Sequence, residues 1–139
     1  MKISTKGQYG FIIMMDLAAS DKKKPVSLKS IAERHQLSEH YLEQLVAPLR
    51  NHGLVKSVRG AYGGYKLTKS PEEITVGDII RILEGPIAPI EFEKEDNTAQ
   101  KRLWKKVRDA IAEVLDNTTL ADLIRNSSDD DQDEYMFYI

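Results

Sequence analysis

The sequence predicts a mainly α-helical fold with one small β-hairpin, on three observations. Apolar residues recur at helical spacing in two short stretches parted only by Arg34-His35-Gln36-Leu37: Leu28, Ile31 and Ala32, then Leu42, Leu45, Val46 and Leu49. A glycine-rich segment, Arg59-Gly60-Ala61-Tyr62-Gly63-Gly64, joins two β-prone runs directly behind them. Thr98 to Asp116 then carries a long, separate amphipathic pattern.

Ser27 and Ser38 stand where the N-caps of the two short helices belong. Four residues between the helices allow only a turn, so the pair must cross steeply, as in a helix-turn-helix, with the second as recognition helix. Pro48 removes an amide donor inside it, which predicts a kink rather than a break. Gly53 ends it where positive φ is needed. Leu54–Val58 and Tyr65–Thr68 then form the hairpin. Three glycines at its tip let the backbone pass close to another surface, while Arg59 and Lys56 supply cations and Tyr62 a flat amphipathic ring. A glycine-rich hairpin alone is ordinary; attached to a helix-turn-helix it reads as a wing facing DNA. The expected fold is therefore a winged helix-turn-helix plus a long dimerisation helix.

Thr5 to Ser20 forms a first helix with two apolar stripes, Tyr9, Ile12, Ile13 and Leu17 on one side and Phe11, Met14, Met15 and Ala18 on another. Apolar on both sides, it needs a second partner besides the helix-turn-helix, and the long helix is the expected one. Asp21-Lys22-Lys23-Lys24-Pro25 reads as a polar loop. Thr75-Val76-Gly77-Asp78 has the pattern of a capping box, opening a helix along Val76, Ile79, Ile80 and Leu83 that Gly85-Pro86 stops and that should support the wing. Residues 1–85 make the DNA-binding domain and 86–97 an acidic linker loop. Residues 98–126 hold the dimerisation helix and a short helix capped at Thr119, and 127–139 an acidic tether and apolar tail. The long helix spans about 30 Å. Trp104, Val107, Ile111 and Val114 recur at three, four, three, close to the seam of a helix packing on its twin; packing inside its own chain is the alternative.

Charge divides along the same boundary. Residues 1–70 hold 12 Lys and Arg against 5 Asp and Glu, and residues 71–139 hold 8 against 17, within an overall charge of −2. A basic half that contains the motif suits a phosphate-facing module. The absence of cysteine excludes disulfides, thiolate metal sites and thiol nucleophiles, and no apolar run reaches membrane-spanning length, so a cytoplasmic protein is expected. No phosphate loop or convergent catalytic set is visible, so an enzyme is not expected, nor a cofactor or metal. His35 and His52 read as ordinary surface or turn histidines.

Met1-Lys2-Ile3-Ser4-Thr5-Lys6-Gly7-Gln8-Tyr9-Gly10, then Tyr41-Leu42-Glu43-Gln44-Leu45 and Val58-Arg59-Gly60-Ala61-Tyr62-Gly63-Gly64-Tyr65, resemble the Rrf-two family of bacterial winged-helix regulators over nearly the whole chain. Where cluster-bearing relatives carry three cysteine ligands, this chain has none, so their iron-sulfur sensing does not carry over. Leu83-Glu84-Gly85-Pro86-Ile87, the missing cysteines and the ending Tyr135-Met136-Phe137-Tyr138-Ile139 resemble the cluster-less branch that represses cysteine metabolism. That resemblance implies a homodimeric repressor controlled by complex formation with O-acetylserine thiol-lyase, the cysteine synthase. The apolar tail fits either docking on the dimer or a linear motif for a partner. The resemblance implies the latter, with Tyr138 and Ile139 entering the enzyme.

Residues at the start of a recognition helix reach base edges. Gln44 can pair bidentately with adenine and Glu43 can accept from cytosine N4. Both resemble the family's base-reading pair, with His40 at a third reading position. Arg59 suits a narrow minor groove at the wing tip. Lys2, Ser4, Thr5, Lys6, Ser38, Tyr41, Lys56 and Tyr62 are candidates for the phosphate backbone of a dyad operator. Two further readings stay open: a module whose tail mainly inhibits a partner enzyme, and a repressor that senses a small ligand directly.

Overall fold

The structure, a computed structural model, describes residues 2–20, 24–88 and 98–125. Lys22, Lys23, most of the acidic linker, the tether and the tail with Tyr138 and Ile139 lie outside the described residues.

Helix α1 (Thr5–Ala19) begins at the N-cap Ser4, whose hydroxyl accepts from the Gly7 amide. Helices α2 (Leu28–His35) and α3 (Glu39–Asn51) open on Ser27 and Ser38, each accepting from the amide three residues on. Gln36, at φ 56°, makes the turn between them in the left-handed region, an unusual conformation for a residue other than glycine. Helix α3 runs unbroken through Pro48, and Gly53 follows its end at φ 81°.

Strands β1 (Val55–Val58) and β2 (Gly64–Leu67) pair antiparallel, Val55 opposite Leu67 and Val58 opposite Gly64. A third backbone segment joins them: Val26 and Tyr65 exchange hydrogen bonds of 2.9 and 2.8 Å. After a 3-10 turn at Pro71–Glu73, α4 (Val76–Glu84) opens on the reciprocal capping box of Thr75 and Asp78. The long helix α5 is Thr98–Asp116. A second capping box, Thr119 with Asp122, opens α6, residues 120–125.

One apolar core lies between α1, α2 and α3, with Ile13, Met14, Ile31, Leu42, Leu45 and Leu49 at or near zero exposure. The C-terminal part shares it. Leu120 is fully buried in the same cluster, a burial that stabilises by about 2 kcal/mol. Around it, Val76 N–H donates to the Thr118 carbonyl and Leu120 N–H to that of Ile74, both at 2.8 Å. A smaller cluster of Val76, Ile80 and Ile87 collects Phe11 from α1 and Ile111, Ala112 and Leu115 from α5. The partner of the second face of α1 is therefore chiefly α4, which also packs on α5, and not the long helix directly as the sequence suggests.

The structure departs from the sequence reading in how elements support one another. Helix α4 packs on α1, α3 and α5, whereas the wing takes its packing from α3 and α1, so the expected support of the wing by α4 is not its main role. Met14 falls on the buried side of α1 with Ile13 and Leu17, and Ile12 is only partly buried, because the core covers a wider arc than one stripe. Close approach to α4 shapes the other side of α1. A Cβ on Gly10 would meet the Leu83 side chain and one on Gly7 the Glu84 carboxylate.

Candidate nucleic-acid interface

The N-terminal turns of α3 present Ser38, Glu39, His40, Glu43 and Gln44 to solvent, while Leu42, Leu45, Val46 and Leu49 hold the helix to the core. Three of the exposed residues are linked. Gln44 Nε2 lies 3.4 Å from His40 Nε2, and His40 Nδ1 lies 4.0 Å from Glu43 Oε2. An amide nitrogen can only donate, so a hydrogen bond at this contact uses the tautomer in which His40 Nε2 accepts, while the 4.0 Å to Glu43 is proximity and not a hydrogen bond. Three base-reading candidates therefore form one contiguous edge on the exposed face. Pro48, one turn further on, denies the Gln44 carbonyl its usual helical donor without ending the helix.

Tyr41 is only half exposed, because its ring packs edge-on against Tyr9 with centroids 5.8 Å apart and planes at 87°. Lys2, Ser4, Thr5 and Lys6 are all at least partly exposed at the start of α1. The Ser4 hydroxyl is engaged twice, accepting from Gly7 N–H at 3.1 Å and donating to Glu84 Oε1 at 2.6 Å; the same oxygen accepts the Ser4 amide at 2.9 Å. Ser4 thereby fastens the basic end of α1 to the end of α4.

At the wing, Lys56 and Arg59 are exposed and Tyr62 is 93% exposed at the tip. The glycines have two separate reasons. Gly60, at φ 119°, faces open space, as a tip that approaches another molecule requires. Gly63 and Gly64 answer to the fold: a Cβ on Gly63 would strike the Val58 carbonyl oxygen, and one on Gly64 the backbone of Val26. The sequence pattern points all three toward an outside surface, whereas two of them serve the wing's own strands.

Two cations carry no motif in the sequence. A cleft of about 420 Å3 between α2, α3 and β2 is lined by Lys29, Glu39, Glu43 and Arg50. Arg50 Nη1 also donates to the Tyr65 hydroxyl at 3.3 Å, tying the recognition helix to the wing. The exposed position of Arg50, two turns beyond Glu43, is a helical-phase signal that points to it. His35 pairs with Asp16 Oδ2 at 2.9 Å, an oxygen shared with Arg34 at 3.1 Å, and so joins α2 to α1, whereas His52 Nδ1 lies 2.9 Å from the Pro48 carbonyl at the C-terminal end of its own helix.

On α5, Trp104 and Val107 are half-buried and Val114 is 65% exposed, but Ile111 packs on its own chain's Val76 and Ile80 cluster. At 100° per residue, Leu103, Val107, Ala110 and Val114 share one line along the helix, opposite in phase to Ala112. Leu103, Ala110 and Val114 are exposed along this line and Val107 is half-buried on it, with Ile111 about 70° round the helix on the side that packs on its own chain.

The family model of the Rrf2 iron-dependent transcriptional regulators matches residues 3–126. The chain belongs to the Rrf2 family. The HTH-type transcriptional regulator CymR of Bacillus subtilis strain 168 is 60% identical over 139 residues, covering 100% of both chains. The solved structure of CymR, described as the global cysteine regulator of B. subtilis, superposes with a TM-score of 0.84 at 60% identity, covering 91% of this chain and 98% of that one. Staphylococcus aureus CymR in its oxidised form matches with a TM-score of 0.76 at 57% identity, over 89% and 96% of the two chains.

This Rrf2 chain is thus a winged-helix, DNA-binding transcriptional regulator, and its relatives are regulators rather than enzymes. The iron in the family's description finds no thiolate ligand here. There is no cysteine in the sequence, and among the described residues no group of three His, Asp or Glu is placed to hold a metal. Among the described residues, no helix is long and apolar enough to cross a membrane.

Proposed function

We propose that this chain is a cytoplasmic, homodimeric repressor of cysteine and sulfur metabolism genes, controlled by complex formation with O-acetylserine thiol-lyase. The observation that carries the reading is the full-length, 60% identity to B. subtilis CymR, which reaches through the C-terminal tail. The name of the matching structure, a global cysteine regulator, supports the choice of regulon.

The dimer forms along Leu103, Val107, Ala110 and Val114 of α5, with Trp104 at its edge and Ile111 contributing from behind. A twofold axis there presents two α3 helices to successive major grooves of a dyad operator. Gln44, Glu43 and His40 read base edges, and Arg59 enters the flanking minor groove. Lys2, Ser4, Thr5, Lys6, Ser38, Tyr41, Lys56 and Tyr62 meet phosphates. Beyond the acidic tether, Tyr138 and Ile139 dock into the enzyme.

Fluorescence anisotropy tests the control step. The full chain and a variant lacking Ile139 are each mixed with purified O-acetylserine thiol-lyase, with and without O-acetylserine. Binding that needs Ile139 and is competed by O-acetylserine is the expected outcome. Equal binding by both forms would remove Ile139 from the contact, and no binding by either would remove the enzyme from the mechanism and leave the DNA-binding role standing.

A further inference from the structure

At the base of the wing, where α1 ends beside β2, the surface closes into a cavity of about 190 Å3. Its floor is apolar, made by Leu17 and Ala18 of α1, Leu67 of β2 and Pro71 of the 3-10 turn. Three ammonium groups, Lys24, Lys66 and Lys69, line it, with no carboxylate among the described lining residues. None of these lysines has an ion pair or hydrogen-bonding side-chain partner among the described residues. Lys66 also stands directly across the hairpin from Lys56, and like charges facing one another across a strand pair are destabilising. Of the two hydroxyls among the described lining residues, Ser20 donates to the Leu17 carbonyl at 2.9 Å, and the Ser70 hydroxyl has no partner among the described residues.

We propose that this cavity binds a small organic polyanion, a short-chain acid carrying a phosphate or further carboxylates. Three cations unpaired among the described residues call for more than one negative charge, and the apolar floor calls for a hydrocarbon part. The volume is below the roughly 300 Å3 at which sites for drug-sized ligands begin, which limits the occupant to a small metabolite. A DNA phosphate fits less well. The lining residue Leu67 lies about 10 Å along β2 from Gly64, the end of the strand nearer the wing tip, and a phosphodiester has no use for an apolar floor. The occupant is coupled to the wing, because Lys24 leads into Val26 and Lys66 follows Tyr65, the two residues that join the third segment to the hairpin.

The test is an amide NMR titration of the full-length protein with phosphoenolpyruvate, with citrate and with inorganic phosphate, repeated on a K66Q/K69Q double variant whose thermal midpoint is no lower than that of the unaltered protein. The two organic anions should give saturating shifts centred on Ser20, Lys24, Lys66 and Lys69, half-complete below about 1 mM and weakened about tenfold in the variant. Shifts that fail to saturate by about 10 mM, that spread over the exposed lysines generally, or that persist unchanged in the variant would overturn the proposal. Inorganic phosphate binding as tightly as the organic acids would overturn the organic ligand class. A flattened salt slope for DNA binding by the double variant, with no anion added, would make the cavity a phosphate-contact surface instead. The titration contains no DNA, so its outcome is independent of whether the chain acts as a repressor.

Discussion

Gln44 Nε2 rests 3.4 Å from His40 Nε2, so the residue best suited to read adenine is held by its neighbour one turn earlier. Bidentate pairing with adenine uses both the amide oxygen and nitrogen of Gln44, and the second amide hydrogen can stay on His40 while it does. Gln44→Ala should cost on the order of 1 to 3 kcal/mol at one base pair per half-site and relax the preference there. His40→Ala should leave the preference at that base pair in place. Binding to a panel of single-base operator variants checks both.

Lys6 should behave differently. Exposed in the first turn of α1, it has no base-reading geometry, so Lys6→Ala should weaken all sequences alike and lower the salt slope by about one. Titrations at several salt concentrations measure the slope. A specificity change in this variant would contradict its placement on the backbone.

Arg81 and Asp116 form a bidentate pair, 2.7 and 2.8 Å, that locks α4 to the end of α5. The hydrogen bonds from Arg81 hold the Asp116 carboxyl below its usual range. A carboxyl depressed in the folded state adds stability that is fully present above its unfolded value and is lost as pH falls through the folded one. The pair's contribution should therefore be constant at neutral pH and fade below about pH 4. Asp116→Asn should lower the thermal midpoint at neutral pH and flatten the acid limb of the stability curve. Gly77 leaves room for the pair, since a Cβ there would strike Asp116 and crowd Arg81. Gly77→Ala and Asp116→Asn should be less than additive, as a double-mutant cycle would show.

Ser4 caps α1 and is itself held by Glu84 across 80 residues of sequence. Ser4→Ala should cost about 1 kcal/mol, read as a fall of about 4 °C in midpoint, and should loosen the lysines around it. Glu84→Gln keeps the cap and replaces a charge-assisted partner, so it should cost less. Equal losses in the two variants would mean that Glu84, rather than the cap, holds the end of α1.

Helix periodicity and capping chemistry are local properties, and from them alone α5 falls at Thr98–Asp116 and α4 opens on Thr75. The Ser4–Glu84 and Arg81–Asp116 links join residues far apart in the chain and leave no local signature. Likewise, an apolar pattern shows that α5 has two apolar faces without showing which one its own chain covers. Spacing alone therefore groups Ile111 with Val114, although the fold turns one inward and leaves the other exposed. The glycines at 63 and 64 are legible as necessary, but the neighbour that constrains Gly64, Val26, enters the wing from before the helix-turn-helix.

The exposed line on α5 has a direct consequence. Leu103→Asp with Val114→Asp should convert the dimer to a monomer and weaken operator binding, while the isolated fold, whose core lies on the opposite face, keeps its helicity. Sedimentation equilibrium and circular dichroism on the same sample separate the two effects.

Whether a dimer reads a dyad operator through α3 is decided by selecting binding sites from random duplexes with the full-length protein and with Gln44→Ala at physiological salt. The expected result is a palindromic consensus with half-sites about one helical turn apart, losing information at one symmetric pair of positions in the variant. A selection that yields no consensus, or the same consensus from both proteins, would contradict it.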